Sequence, residues 1–250
     1  MTPIIRIENL THRFPDGTLG LDGVTLAIEE SSFVVIAGAN GSGKTTLLRH
    51  LNGLLRPTSG SVEVEGVPVA ADLRRARVLV GMVFQDADGQ IVGETVAEDV
   101  AFGPENLKLP RPEVERRVAG ALDAVGMTHL ADRRPHLLSG GEKRRLAIAG
   151  VVAMQPAVIV FDEPFSNLDY AGVREVLARM VVLHRSGRTI LLTTHDLGKV
   201  TAHADRLIFM QAGRVVCDAA PAEALARAEA FGVRRPRAAA LGVEALSWLA

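Results

Sequence analysis

The sequence predicts an α/β domain built on a parallel sheet, with a helical insertion interrupting it. Three observations carry this. Unbroken apolar runs of strand length recur along the chain, one of them leads through a glycine-rich turn straight into a helix, and a helix-patterned stretch separates two strand-rich portions.

The elements follow in order. Residues 4–36 read as short strands with turns: Ile4, Ile5 and Ile7 come first, Pro15-Asp16-Gly17 is turn chemistry, and Val24, Leu26 and Ile28 alternate with period two. Phe33 to Ala37 is continuously apolar, the pattern of a strand covered on both faces. It feeds the glycine-rich segment and then a helical pattern from Thr46 to Leu51. From about Thr95 to Ala149 the character changes. Val114, Val118, Ala121, Leu122 and Val125 recur at helical spacing after Pro112 and Glu113, and Gly126 ends the run. A further apolar helix is expected over Leu146–Met154. The β signal returns at Val158–Phe161, a helix is expected over Ala171–His184, and Thr189–Thr193 is again strand-like. The tail from Ala219 is alanine-rich and of helical propensity, interrupted by Arg234-Arg235-Pro236-Arg237, which reads as a solvated turn.

Composition excludes several classes. At 48% hydrophobic and 23% charged, 250 residues bury a substantial core without the signature of disorder. The formal net charge of −1 offers no global field for nucleic acid or anionic lipid, so no nucleic-acid partner is expected. One cysteine, Cys217, forms no intrachain disulfide, which suits a reducing compartment. Arg6 and Glu8 break the apolar stretch that a signal peptide would need, and no segment approaches ~18 consecutive apolar residues. Arginine outnumbers lysine 24 to four, which makes each lysine a position to check.

The chemistry begins at Gly38-Ala39-Asn40-Gly41-Ser42-Gly43-Lys44-Thr45, a match to G-x-x-x-x-G-K-[ST] between a buried strand and a helix. Triphosphate oxygens call for backbone N–H groups at a helix start, and glycines let the backbone come close. Lys44 supplies a point charge to the β- and γ-phosphates, and the Thr45 hydroxyl is the expected Mg²⁺ ligand.

Val158 to Phe161 runs into Asp162 and Glu163, so a buried strand delivers two carboxylates at its carboxyl end, where open α/β sheets bind ligands. Asp162 is assigned to Mg²⁺, directly or through water, and Glu163 to the general base. By itself, such a pair also suits a strand ending in acidic surface residues. His195 follows the next apolar strand, where a structural hydrogen bond or a γ-phosphate contact both fit. Gln85, after Val83-Phe84, can orient the attacking water or complete the metal shell. Ser139-Gly140-Gly141-Glu142 carries the S-x-x-E of a capping box, yet two central glycines also let a helix start face an anion; both roles can coexist.

Taken in order, these residues resemble the ATP-binding-cassette ATPases. The correspondence runs through Walker A (Gly38 to Thr45), the Q-loop Gln85, the signature LSGGE at 138–142, Walker B ending at Asp162, Glu163, a D-loop Ser166-Asn167-Leu168-Asp169 and the switch His195. The resemblance implies a P-loop NTPase fold of the ABC type, with an N-terminal antiparallel β subdomain and an inserted helical subdomain at about 88–150. The ATPase domain would then cover 4–236, followed by a short helical tail at 237–250. It adds Phe14 as the aromatic that stacks on adenine, and Thr46 beside the phosphates. Within the family, Phe84 to Gln90, Val100-Ala101-Phe102-Gly103-Pro104 and Ser139 to Arg145 resemble the energy-coupling-factor importers, although Gly89 and Glu142 depart from the usual residues.

That resemblance implies ATP and Mg²⁺ as ligands and a two-chain mechanism, each ATP held between the phosphate loop of one subunit and the signature of the other. The implied partners are a second ATPase subunit, in a homodimer, and separate integral membrane transport subunits: a transmembrane coupling protein and a substrate-binding membrane protein. The location is the cytoplasmic face of the cell (inner) membrane, as a peripheral protein. The transported substrate would be a vitamin, biotin first, or cobalt or nickel. The alternatives are the ATPase of a conventional importer and, further off, a non-transport ABC ATPase; long coiled coils, tandem cassettes or a basic face would mark the latter, and none is visible.

Overall fold

A computed structural model describes residues 3–249. Two sheets organise them. Strands β1 (Ile5–Arg13), β2 (Leu19–Ile28), β4 (Ser59–Val64) and β5 (Val67–Pro68) form an antiparallel sheet in the order β2-β1-β4-β5. The second sheet has the order β10-β9-β3-β8-β7-β6, from β3 (Phe33–Ala37), β6 (Val80–Val83), β7 (Val158–Asp162), β8 (Thr189–Thr194), β9 (Arg206–Gln211) and β10 (Arg214–Ala219). Its strands run parallel except at the β9–β10 hairpin.

Seven α-helices connect them: α1 (Lys44–Leu51), α2 (Leu73–Leu79), α3 (Val96–Asn106), α4 (Arg111–Ala124), α5 (Gly140–Ala153), α6 (Tyr170–Arg185) and α7 (Pro221–Arg227). The caps explain several starts. Asp72 and Asp169 each accept a backbone N–H at the head of α2 and α6, while Thr95–Glu98 and Ser139–Glu142 close reciprocal capping boxes on α3 and α5.

The central strands are covered on both faces, as their apolar runs predict. Along β3, Phe33, Val35 and Ala37 enter a core shared with α3, α5 and α6, and Val34 and Ile36 enter a second core with α1 and the antiparallel sheet. Burying such side chains stabilises the fold by ~1.5–3 kcal/mol each, so this double-sided spine is the rigid platform of the molecule.

Three boundaries differ from expectation. Helix α1 begins at Lys44 rather than Thr46, because left-handed Gly43 turns the chain directly into it. Helix α5 begins at Gly140 rather than Leu146, because the capping box starts the helix ahead of its apolar stretch. The tail from Ala219 opens with α7, as its propensity predicts, but from Arg237 it forms short 3-10 turns at Arg237–Leu241 and Val243–Ala245 rather than an α-helix, folded back so that the Trp248 and Tyr170 ring centroids lie 5.1 Å apart. The Arg234–Arg237 segment is the exposed link before those turns.

Candidate nucleotide site

The strand β3 ends at Ala37 and the phosphate loop starts there. A Cβ on Gly38 would lie 2.3 Å from the Met210 carbonyl oxygen, and Gly43 holds φ 101° with its Cβ position 2.8 Å from the Gly20 carbonyl. Any larger residue would push the loop off its seat. Gly213, at the β9–β10 turn, supports it from behind by donating to the Ser42 carbonyl at 3.0 Å.

Lys44 is buried, and its Nζ donates to the Gly38 and Ala39 carbonyls at 2.8 and 3.1 Å. Burial pulls its ammonium below the ordinary lysine range, and the nearby Glu163 and Asp162 partly offset this. The loop's cation is thus held at its mouth, with two carboxylates behind it.

Those carboxylates come from the carboxyl end of β7. Asp162 is 3% exposed, and its Oδ1 accepts from Thr45 Oγ1 at 3.0 Å and from Thr193 Oγ1 at 2.8 Å. Thr193 also accepts the Glu163 amide at 2.9 Å. Glu163 itself sits in the left-handed region, φ 47°, a strained conformation for a non-glycine residue of the kind that concentrates at functional sites. Its carboxylate Oε2 lies 3.0 Å from His195 Nδ1. The Glu163 side chain is only 12% exposed, whereas His195 is 65% exposed and reaches in from the rim.

A cleft of about 630 Å³ joins these pieces, lined by Phe14, the phosphate loop from Asn40 to Thr46, Gln85, Glu163 and His195. Phe14 is half-buried at its edge and packs edge-on against His12, ring centroids 4.7 Å apart. Gln85, Thr45 and Asp162 also line an adjoining cleft together with Gly140. The hydroxyl, amide and carboxylate oxygens gathered there form a hard, oxygen-only donor set suited to Mg²⁺, which keeps waters and phosphate oxygens in its remaining positions.

The signature residues group elsewhere. Ser139, Gly140, Gly141 and Glu142 line a separate cleft with Asn167, Asp169 and Gly172; of the four, Gly140 alone borders the Thr45–Asp162 side. Ser139 Oγ accepts the Glu142 amide at 3.3 Å and Glu142 Oε2 accepts the Ser139 amide at 2.7 Å. That backbone bond, above all, holds the Glu142 carboxyl below its usual range. Asp169 caps α6 through the Gly172 amide at 2.7 Å. The signature therefore presents a capped helix start away from its own chain's phosphate loop.

Three contributors escape motif reading. Thr193 organises both carboxylates, Gly213 supports the phosphate loop, and Arg144 holds the Q-loop backbone. Each acts through space rather than through a local pattern. The one signal within reach for Thr193 was a hydroxyl at the end of a strand paired in register with Asp162.

Comparison with known proteins agrees with this geometry. The family model for ABC transporters matches residues 21–166. The energy-coupling factor transporter ATP-binding protein EcfA of Methanocaldococcus jannaschii is 44% identical, over 95% of this chain and 88% of its own length. Among solved structures, CbiO1 from Clostridium perfringens, described as part of the ABC transporter complex CbiONQ, superposes with a TM-score of 0.84 at 37% identity, covering 96% of this chain and 99% of that one. The dimeric cassette MJ0796 in a post-hydrolysis state bound to ADP and Pi superposes with a TM-score of 0.77 at 28% identity, over 87% of this chain and 98% of that one.

Proposed function

The chain belongs to the ABC transporter family and is an ATPase of that family, and from this premise we propose that it is the ATP-hydrolysing subunit of an energy-coupling-factor-type importer, working as a head-to-tail pair on separate membrane subunits. The observation that carries the reading is the division of the site: the phosphate loop, Gln85, Glu163 and His195 converge on one cleft, with Asp162 on the adjoining one beside Thr45, while Ser139, Gly141 and Glu142 line another. Such a chain completes two sites only when a second copy supplies its signature. The M. jannaschii relative and the CbiONQ component support the subtype.

In this reading the amides of residues 38–45 and Lys44 hold the β- and γ-phosphates, Thr46 lies beside them, and Phe14 offers its π-face to adenine. Thr45, Asp162 and Gln85 would hold Mg²⁺, which neutralises charge developing on the phosphates. Glu163 takes the proton of a water whose oxygen attacks the γ-phosphorus. The bond from that phosphorus to the bridging oxygen breaks, leaving ADP and inorganic phosphate. His195, 3.0 Å from Glu163, holds that carboxylate toward the cleft and contacts the γ-phosphate. The partner's Ser139 hydroxyl and the partner's Gly141 amide close over the same phosphate, and Asp169 sits at the subunit boundary.

Membrane attachment falls to the partner. Among the described residues no helix is long and apolar enough to cross a bilayer. A groove of largely apolar lining, with Leu54, Phe102 and Met154, opens between the β6 edge and helices α3 and α5, and it suits a cytoplasmic helix of a transport subunit. The protein then lies at the cytoplasmic face of the cell membrane, and the membrane subunits set the substrate, a vitamin such as biotin or a cobalt or nickel ion. Purification from membranes tests this: co-isolation of integral membrane chains is expected, and recovery of the ATPase alone would contradict it. Uptake of labelled biotin, cobalt and nickel by cells lacking the chain then names the cargo.

A further inference from the structure

Lysine is scarce in this chain, yet Lys143 directly follows the signature, beside Arg144. Both reach across to the segment that carries Gln85. Arg144, 4% exposed, donates one guanidinium N–H to the Phe84 carbonyl at 2.5 Å and another to the Gln85 carbonyl at 2.7 Å. Lys143 Nζ lies 2.6 Å from Asp88 Oδ1.

The segment they grip is internally braced. The Gln90 side chain accepts the Phe84 amide and donates to the Met82 carbonyl, both at 3.1 Å, closing residues 82–90 into a loop. Asp86 Oδ1 accepts the Asp88 amide at 3.1 Å within it. A loop fastened to itself moves as one body, so a pull on its backbone moves Gln85 with it.

Of the two cations, Arg144 carries more. Its fork reaches two adjacent carbonyls from a buried position, and charge-assisted bonds of that geometry are the strong ones. Burial works against its charge, and the facing Asp86 and Asp88 offset this. The Asp88 side chain is 67% exposed, so the Lys143 pair is screened by water and adds little.

We propose that Arg144 is a positioning residue that transmits movement of the signature helix to Gln85, so that each ATP site senses the nucleotide held by the other. This rests on the head-to-tail dimer of the preceding section. In that dimer a chain's signature touches the ATP bound by its partner, and its Gln85 faces the ATP that it binds itself. Engagement of the partner's ATP shifts α5, Arg144 drags the closed loop, and Gln85 is set in its own site. The device makes hydrolysis cooperative between two sites with no direct contact between their nucleotides.

The test is steady-state hydrolysis by the full chain as a function of MgATP, alongside equilibrium binding of a fluorescent ATP analogue. Wild type is expected to show a Hill coefficient approaching two, the limit for two sites. Arg144→Met should lower kcat by about 10- to 100-fold, the scale of a misplaced reacting group, and bring the Hill coefficient to one. Analogue affinity should change less than about twofold, since the phosphate loop is untouched. A merely structural arginine would lower the amount of folded protein without altering the Hill coefficient of what remains. If Arg144→Met loses its cooperative thermal transition, Arg144→Lys decides: it keeps the charge and loses the fork, so reduced cooperativity supports the link and a wild-type profile overturns it. A non-cooperative wild type overturns the link while leaving the ATPase reading intact. A wild type that binds no ATP analogue overturns that reading itself.

Discussion

Thr193 Oγ1 donates to Asp162 Oδ1 at 2.8 Å across the β7–β8 pair, in a position with no measurable exposure. The same oxygen accepts the amide of Glu163. One hydroxyl thus fixes the carboxylate assigned to Mg²⁺ and the backbone turn that aims the carboxylate assigned to the water.

Replacing it should therefore impair hydrolysis without removing any group from the reaction. Thr193→Val keeps the volume, unpairs a buried amide and frees Asp162. Loss of such a supporting partner typically costs 10- to 100-fold in activity. Thr193→Ser should retain most activity. Initial rates against MgCl₂ concentration check this, and the valine variant should need more Mg²⁺ for half-maximal rate.

Gly43→Ala should destabilise the fold and abolish nucleotide binding. Its backbone is left-handed and its Cβ would meet the Gly20 carbonyl at 2.8 Å, so strain of ~1–3 kcal/mol is expected. Thermal melts with and without MgATP give the result: a lower Tm, and no rise on adding nucleotide.

The capping box predicts a separable effect at the signature. Ser139→Ala removes the acceptor for the Glu142 amide and should cost ~1 kcal/mol of stability. Hydrolysis by the variant should fall, whereas monomeric ATP binding should remain. Denaturant melts and analogue titrations measure the two.

Acidification should weaken the fold through His50. This imidazole is 1% exposed and its Nδ1 is bonded to the Thr46 carbonyl. Burial, reinforced by the neighbouring His12, holds its pKa below the ordinary 6.5, against the pull of the Thr46 and Arg56 carbonyls. The unfolded chain then binds the proton first. Stability is complete above pH ~6.5 and declines as pH falls from there toward the folded value. His203, also depressed by burial, acts in the same direction. Tm should drop between pH 7 and 5, and less steeply in His50→Gln.

The legible features are those written in local pattern. Gly38 to Thr45 announces its turn because glycine spacing is itself the geometry, and Phe33–Ala37 announces a covered strand because every residue is apolar. Ser139 and Glu142 gave their capping box away by spacing. What stayed hidden depends on contact across the chain. Thr193 lies 31 residues from Asp162, and its role exists only because β7 and β8 pair in register. Arg144 lies 59 residues beyond Gln85 and looks like one more arginine in an arginine-rich protein. The Thr95–Glu98 box that starts α3, by contrast, has the T-x-x-E spacing and is as local as the Ser139–Glu142 box.

The central claim is that ATP is hydrolysed between two copies of the chain, with Glu163 as the base. The direct measurement is the solution mass of Glu163→Gln with and without MgATP, by light scattering on a sizing column. Binding without turnover should trap the pair, so the mass should rise from 26.6 kDa to twice that value only when nucleotide is present. A variant that stays monomeric at saturating MgATP, while still binding the nucleotide, would contradict the account.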